Sequence, residues 1–194
     1  GYGPDGTIWG GEALIASLSD YRRIAHLEAL PLPGGDAAIH RPYRIAWGYL
    51  LATQGTIPAL PTLASFEGLE QAIIERQVAQ AINAPLTSSV GRLFDAVSAM
   101  LGICPVVTFE AQAAIALELA AREVDLGQVD AYPFSIDDTG VIRLGDLLAA
   151  ITADVGKGRA VSEIAAAFHL TIAQMAVDAA QLGRAQTGID VVAL

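Results

Sequence analysis

A change of pattern around residues 31–36 is the feature that most constrains the fold. Before it, residues 7–32 carry β-formers in loose alternation after a turn signal at Pro4-Asp5-Gly6, as in a hairpin or meander. The run PLPGGD at 31–36 is a rigid and then flexible loop, and helical periodicity follows it. The order predicts an α+β fold: a β-rich segment over 1–36, a helical segment over 37–131, and a hairpin, two helices and a terminal strand over 132–194.

The clearest single helix is predicted over residues 90–101. Its apolar residues recur at spacings of three and four: Val90, Leu93, Phe94, Val97 and Leu101. Thr87, Ser88 and Ser89 supply three possible N-caps, and Gly102 ends the helix. Further helices are expected over 37–53, 66–82, 110–124, 144–155 and 161–186, with a hairpin around the turn at 137–140.

Composition excludes several classes of protein. The hydrophobic content is 53%, yet the most apolar stretch, 164–180, is interrupted by His169, Thr171 and Gln174, so no membrane span is predicted. A net charge of −10, from 11 basic and 21 acidic residues, argues against nucleic-acid binding. The single cysteine, Cys104, excludes an internal disulfide. No secretory leader follows Gly1, and we expect a cytoplasmic protein without nucleic-acid or membrane partners.

Gly91 and Asp95 are the most informative pair of polar positions. Four residues apart, they share one strip of the predicted helix, where a glycine leaves room for a ligand and a carboxylate accepts hydrogen bonds from ribose hydroxyls. Spacing alone nevertheless favours an ordinary surface aspartate. The glycine-rich stretch GYGPDG at 1–6 is similarly explained best as a plain turn. The three histidines have no metal-ligand spacing, and no catalytic residue is identified.

Several segments together resemble the carbamoyltransferase domain of HypF, a hydrogenase maturation protein. They occur in the family's order over nearly the whole chain: GYG at 1–3, DGT at 5–7, WGGE at 9–12, LPGGDAAI at 32–39, TSSVGRLFDAV at 87–97, FEAQAA at 109–114 and FH at 168–169. The run at 87–97 carries the resemblance furthest. The family implies a part of an actin-like domain, mostly helical with an N-terminal β-meander.

The resemblance also implies an activity and a set of residues. HypF-like proteins use carbamoyl phosphate and ATP to make carbamoyl-adenylate, and pass the carbamoyl group to the C-terminal cysteine of the partner HypE for the cyanide ligands of nickel–iron hydrogenase. A divalent metal belongs to that domain, and its ligands are expected outside this chain. The implied nucleotide-binding residues are Gly1 and Gly3 in a phosphate-approaching loop, Gly91 and Asp95 on the adenosine helix, and Glu110 and Gln112 at a helix start.

Three positions depart from the family pattern and leave substrate geometry there in question. The family has an arginine and a glutamate at His40 and Arg41, and a glycine at Ala111. Without the metal ligands, we expect the chain alone to be inactive and to bind ATP weakly. Two alternatives remain open: a carbamoyltransferase acting on a hydroxyl of an antibiotic or nodulation factor, and a non-catalytic helical module that docks a partner.

Overall fold

The computed structural model describes residues 1–66 and 68–193, which form six strands and seven α-helices. The strands are β1 (Glu12–Ala16), β2 (Tyr21–Leu27), β3 (Leu30–Pro31), β4 (Leu86–Thr87), β5 (Ser135–Ile136) and β6 (Val141–Arg143). The helices are α1 (Asp36–Ile39), α2 (Pro42–Gln54), α3 (Leu69–Ala79), α4 (Val90–Met100), α5 (Gln112–Ala121), α6 (Gly145–Gly156) and α7 (Val161–Thr187). Two 3₁₀ turns, Pro61–Phe66 and Leu126–Gln128, complete the described elements. The α+β class is confirmed.

The strands form two small sheets. The first has the order β1-β2-β6-β5, with β2 and β6 parallel and the other pairs antiparallel. The second is the antiparallel pair β3-β4. The predicted N-terminal meander is therefore only a β1-β2 hairpin. Both residues of β3 are buried, and Pro31 has no N–H to donate, so β3 does not extend the β2 edge and β6 takes that position.

The helical core is built around α2. Every residue from Pro42 to Leu50 is buried, because α1, α3, α4, α6 and β3 all pack against this helix. Gly48 permits the approach of the loop that follows β3: a Cβ there would lie 2.7 Å from Cδ of Pro33. The largest fully buried side chains include Trp47, Tyr49 and Phe168.

Helix boundaries agree with the sequence pattern where local signals are strong. Pro42 opens α2 at its first helical position and separates it from α1. The prediction of one helix over 66–82 was wrong in its bounds: a 3₁₀ turn ends at Phe66, α3 begins at Leu69, and Glu67 lies outside the described residues. The hairpin at 132–143 is confirmed as β5-β6.

The terminal strand predicted from residue 190 does not form. Helix α7 extends to Thr187 and is closed by Gly188, whose φ of 73° is the left-handed conformation common at helix ends. Residues 189–193 are exposed and have no strand beside them to share hydrogen bonds, and Leu194 lies outside the described residues. Across the described part of the chain, no helix combines the length and apolarity needed to cross a membrane.

Candidate functional site

The start of α4 is fixed by a cap and by the N-terminal turn. The Ser89 side chain accepts a hydrogen bond from the backbone N–H of Arg92 at 3.4 Å, so Ser89 is the N-cap among the three candidates. The N–H of Val90 donates to the Gly10 carbonyl at 3.1 Å, and that of Ser88 donates to Ile8 at 2.9 Å. These bonds place Ile8 and Gly10 directly beside the first turn of α4.

Glu12 connects the N-terminal segment to the residues that precede α4. One of its carboxylate oxygens accepts from the N–H groups of Gly10 at 2.7 Å and Gly11 at 2.8 Å. The other oxygen accepts from the hydroxyl of Ser88, and only 6% of the side chain is exposed. In the sequence, Glu12 stands out only as part of the WGGE segment at 9–12. The two glycines directly before this glutamate, at the start of β1, are the sequence feature that could have indicated its contacts with their backbone N–H groups.

Gly1 and Gly3 lie in the N-terminal turn around Trp9. The N–H of Trp9 donates to the Gly1 carbonyl at 2.8 Å, and a Cβ on Gly3 would overlap the Trp9 indole. Asp5 closes the same turn by accepting from Thr7 and from the indole N–H at 3.0 Å. Indole packing thus explains why position 3 has no side chain. The phosphate-approaching role of both glycines stays a prediction.

One cavity brings three of the predicted site residues together. It has a volume of about 330 Å³ and lies where α4 faces the start of α5. Its lining residues are Ile39, His40, Arg92, Asp95, Val107, Phe109, Glu110, Ala111 and Gln112. Gly91 is one turn before Asp95 on the same strip of α4, and only the Ser89 hydroxyl, at 3.6 Å, would come within 4 Å of an added Cβ. Gly1 and Gly3 are not among the lining residues.

Asp95 is buried in the wall of this cavity, with 4% of the residue exposed. Its Oδ2 forms an ion pair with Nη2 of Arg92 at 2.9 Å. Burial raises the pKa of Asp95, and the Arg92 charge opposes that rise. The surface-aspartate interpretation, which spacing alone favoured, is therefore wrong. A buried carboxylate with a single ion pair retains acceptor positions that a ligand's hydroxyl groups would fill.

The start of α5 forms the opposite wall. Ala111 is the N-cap residue of α5, and its φ of 60° places it in the left-handed region. The Gln112 side-chain oxygen accepts from the N–H of Thr108 at 2.7 Å, which folds the preceding turn. Among the described residues, the amide nitrogen of Gln112 and the carboxylate of Glu110 have no hydrogen-bond partner. Both groups thus remain available to a ligand.

Two of the three departures from the family pattern line the cavity. The carbonyl of His40 accepts from the N–H of Val107 at 3.1 Å, which brings His40 to the rim. Ala111 lies in the α5 wall. Arg41 instead approaches Glu70 at 3.7 Å and is not a lining residue.

A larger groove of about 680 Å³ runs between β2, the 137–140 turn and α7. Its arginines already have partners: Arg22 donates to Gln186 at 3.2 Å and Arg23 to Asp5 at 2.8 Å. No group of three or more His, Cys, Asp or Glu side chains converges anywhere in residues 1–66 and 68–193. The external origin of the metal ligands stays a prediction.

Comparison with known proteins establishes the family. Residues 1–194 match the family described as "Carbamoyltransferase, Kae1-like Domain, second subdomain". This chain belongs to the HypF carbamoyltransferase family. The resemblance inferred from the sequence motifs is confirmed, as is the assignment to a subdomain of an actin-like fold.

Two solved HypF structures share the fold. A crystal structure of full-length HypF in the phosphate- and nucleotide-bound form aligns over 97% of this chain and 29% of that one, with a TM-score of 0.86 and 37% identity. The HypF of T. kodakarensis aligns over 97% of this chain and 26% of that one, with a TM-score of 0.79 and 28% identity.

Curated HypF relatives show the same relationship in sequence. The HypF homolog of Cupriavidus necator is 38% identical over 195 residues, covering 93% of this chain and 48% of the relative. HypF of Rhodobacter capsulatus is 40% identical over 177 residues, covering 90% and 22% respectively. HypF of Synechocystis is 36% identical over 210 residues, covering 100% and 27%. The chain thus spans less than half the length of these three HypF relatives.

Proposed function

We propose that this chain supplies the nucleoside-binding wall of a HypF-type carbamoyltransferase. In that enzyme, carbamoyl phosphate and ATP give carbamoyl-adenylate, and the carbamoyl group passes to the C-terminal cysteine of a HypE-like acceptor for hydrogenase cyanide ligands. The observation that carries the proposal is the buried Asp95 carboxylate, which faces a cavity with unfilled acceptor positions. The nucleotide bound to the similar full-length HypF supports it.

The charge of the cavity favours the nucleoside end of ATP over its phosphates. Among the lining residues, the carboxylates of Asp95 and Glu110 outnumber the single guanidinium, that of Arg92. A triphosphate needs an excess of cationic groups or a cluster of backbone N–H groups. Ribose hydroxyls instead donate to carboxylates, so we assign the wall formed by α4 and α5 to adenosine.

Asp95→Asn tests this assignment. The amide keeps the shape of the side chain but loses the charge-assisted hydrogen bonds, each worth about 1.5–3 kcal/mol. We therefore expect adenosine affinity to fall by roughly 10- to 100-fold in calorimetric or NMR titrations of the chain. Wild-type affinities for adenosine and ATP are expected to agree within about threefold, because the phosphates gain little here.

The matched control is Asp130→Asn, which changes an exposed aspartate away from the cavity and should leave adenosine affinity unchanged. Unchanged adenosine binding in Asp95→Asn would contradict the proposal. In a full-length HypF that carries this segment, the same substitution should abolish carbamoyl-dependent ATP turnover and spare acceptor binding. Loss of acceptor binding alone would instead favour the partner-docking alternative.

A further inference from the structure

We propose that Arg92 is a positioning residue that fixes the Asp95 carboxylate at the cavity wall for the paired hydroxyls of a nucleoside. The inference rests on the proposed function, since it concerns the residue that holds the nucleoside-binding carboxylate. Arg92 itself is not assigned a contact with the ligand. It acts through Asp95, three residues further along α4.

The ion pair leaves part of the carboxylate free. Nη2 of Arg92 lies 2.9 Å from Oδ2 of Asp95, so Oδ1 and the remaining lone pairs stay available to hydroxyl donors. The first turn of α4 also fixes the backbone of Arg92, whose N–H donates to the Ser89 cap. The backbone of Arg92 is thus fixed by the start of α4, while Oδ1 of Asp95 remains free to accept a hydrogen bond.

Burial distinguishes this pair from an ordinary surface ion pair. The side chains of Arg92 and Asp95 are 20% and 6% exposed, whereas exposed helical pairs contribute little to stability. The Nε atom of Arg92 is buried and has no hydrogen-bond partner within the described residues. No other described acceptor therefore draws the guanidinium away from Asp95.

The other groups around Asp95 do not replace Arg92. Tyr49, from α2, has its pKa raised by burial, with opposing effects of Arg92 and Asp95. Cys104, which follows α4, has its pKa raised by burial and by the Asp95 charge. His40 and Glu110 line the same cavity as Asp95. Of the groups around Asp95 in the described part of the chain, Arg92 alone carries a permanent positive charge.

Removing Arg92 should make nucleoside binding depend on pH. Burial already raises the pKa of Asp95, and the Arg92 charge is the influence that lowers it. Without that charge the pKa rises further, so Asp95 takes up a proton at a higher pH. A protonated Asp95 is a weaker acceptor for ribose hydroxyls. Adenosine affinity should therefore fall as the pH is lowered.

The experiment compares adenosine dissociation constants between pH 5.5 and 8.5 for the wild type, Arg92→Met and Arg92→Lys. We expect the wild-type affinity to depend less on pH than that of Arg92→Met. Arg92→Met should already bind adenosine more weakly than the wild type at pH 8.5, because its carboxylate is no longer held in place, and should weaken by roughly tenfold for each pH unit below the Asp95 midpoint. Arg92→Lys should restore most of the wild-type profile. Arg122→Met, at an exposed arginine outside the cavity, is the matched control and should follow the wild type.

A carboxyl-carbon NMR titration of Asp95 gives a readout that needs no ligand. The Asp95 midpoint should move upward in Arg92→Met and return in Arg92→Lys, while melting curves establish that each variant is folded. An unmoved midpoint, or an Arg92→Met affinity equal to that of the wild type at every pH, would overturn the role of Arg92. If Asp95→Asn binds adenosine like the wild type, the proposed function fails instead, which separates the two conclusions.

Discussion

Ala111, the N-cap residue of α5, has a left-handed backbone conformation that residues with a side chain rarely adopt, with φ of 60° and ψ of 7°. Ala111→Gly should remove this strain and raise the free energy of unfolding by about 0.5–1 kcal/mol, after allowing for the extra freedom that glycine gives the unfolded chain. Urea denaturation measures the change. Ala81→Gly is a second test and should raise the free energy of unfolding by a similar amount, since Ala81 has a similar φ of 52° and lies outside the cavity. A lower unfolding free energy in both variants would contradict the strain argument.

Asp95 is expected to reduce stability in the absence of ligand. Burial raises its pKa in the folded chain, so the folded state binds a proton more tightly than the unfolded state does. Stability from this group is then fully present below the unfolded pKa, near 4, and is lost as pH rises through the folded pKa. Asp95→Asn should therefore unfold at a higher temperature than wild type at pH 7, with the difference shrinking toward pH 4. A lower melting temperature for Asp95→Asn at pH 7 would show that the Arg92 pair outweighs burial.

The sequence located Asp95 but did not predict its burial. The four-residue spacing places Gly91 and Asp95 on the same side of α4. It does not tell whether that side faces solvent or a cavity, because this depends on the elements that pack beside it. The burial comes from α2 and from the 105–112 segment, which is held by the bond from Val107 to His40. The role of Arg92 could not be predicted either, because an i,i+3 ion pair is common on exposed helices and its spacing does not indicate burial.

At the scale of elements, one arginine joins α2 to α3 and to the loop after β3. Arg44 is buried, donates to the Pro33 carbonyl at 2.9 Å and to Gln77 at 2.7 Å, and forms an ion pair with Glu70. Arg44→Met should lower the free energy of unfolding by about 2–3 kcal/mol, because it leaves these acceptors unpaired around a buried side chain.

Denaturant midpoints test this role of Arg44. Arg76→Met, on α3, is the control and should change stability by less than about 0.5 kcal/mol, since Arg76 is exposed. A loss below about 1 kcal/mol for Arg44→Met would show that water replaces the missing donors.

Local signals predicted most of the helices and the β5-β6 hairpin, but not the pairing of β3 with β4. The caps and spacing of 87–102 predicted α4 to within one residue, because both depend on neighbours along the chain. The turn at 137–140 predicted the β5-β6 hairpin for the same reason. The β3-β4 pair joins Leu30 to Thr87, and neither segment indicates its distant partner. Partner choice depends on the packed core, so the second sheet could not be predicted from spacing.

The charge of the whole molecule and the charge of the cavity both disfavour a polyphosphate ligand. The net charge of −10 repels polyphosphates at long range. The cavity has the same sign, because two carboxylates, Asp95 and Glu110, face the single guanidinium of Arg92. A neutral nucleoside is not subject to that repulsion. This charge balance supports the proposed preference for adenosine over the charged end of ATP.

The N-terminal turn and α4 are joined across a very long stretch of chain. The Thr87 hydroxyl donates to the Ile8 carbonyl 79 residues earlier, beside the backbone bonds from Ser88 and Val90. Closing so long a loop costs conformational entropy before any contact forms, so this junction should assemble late in folding. In deuterium exchange, the amides of Ile8, Ser88 and Val90 would then lose protection together, as one cooperative opening that exposes the first turn of α4.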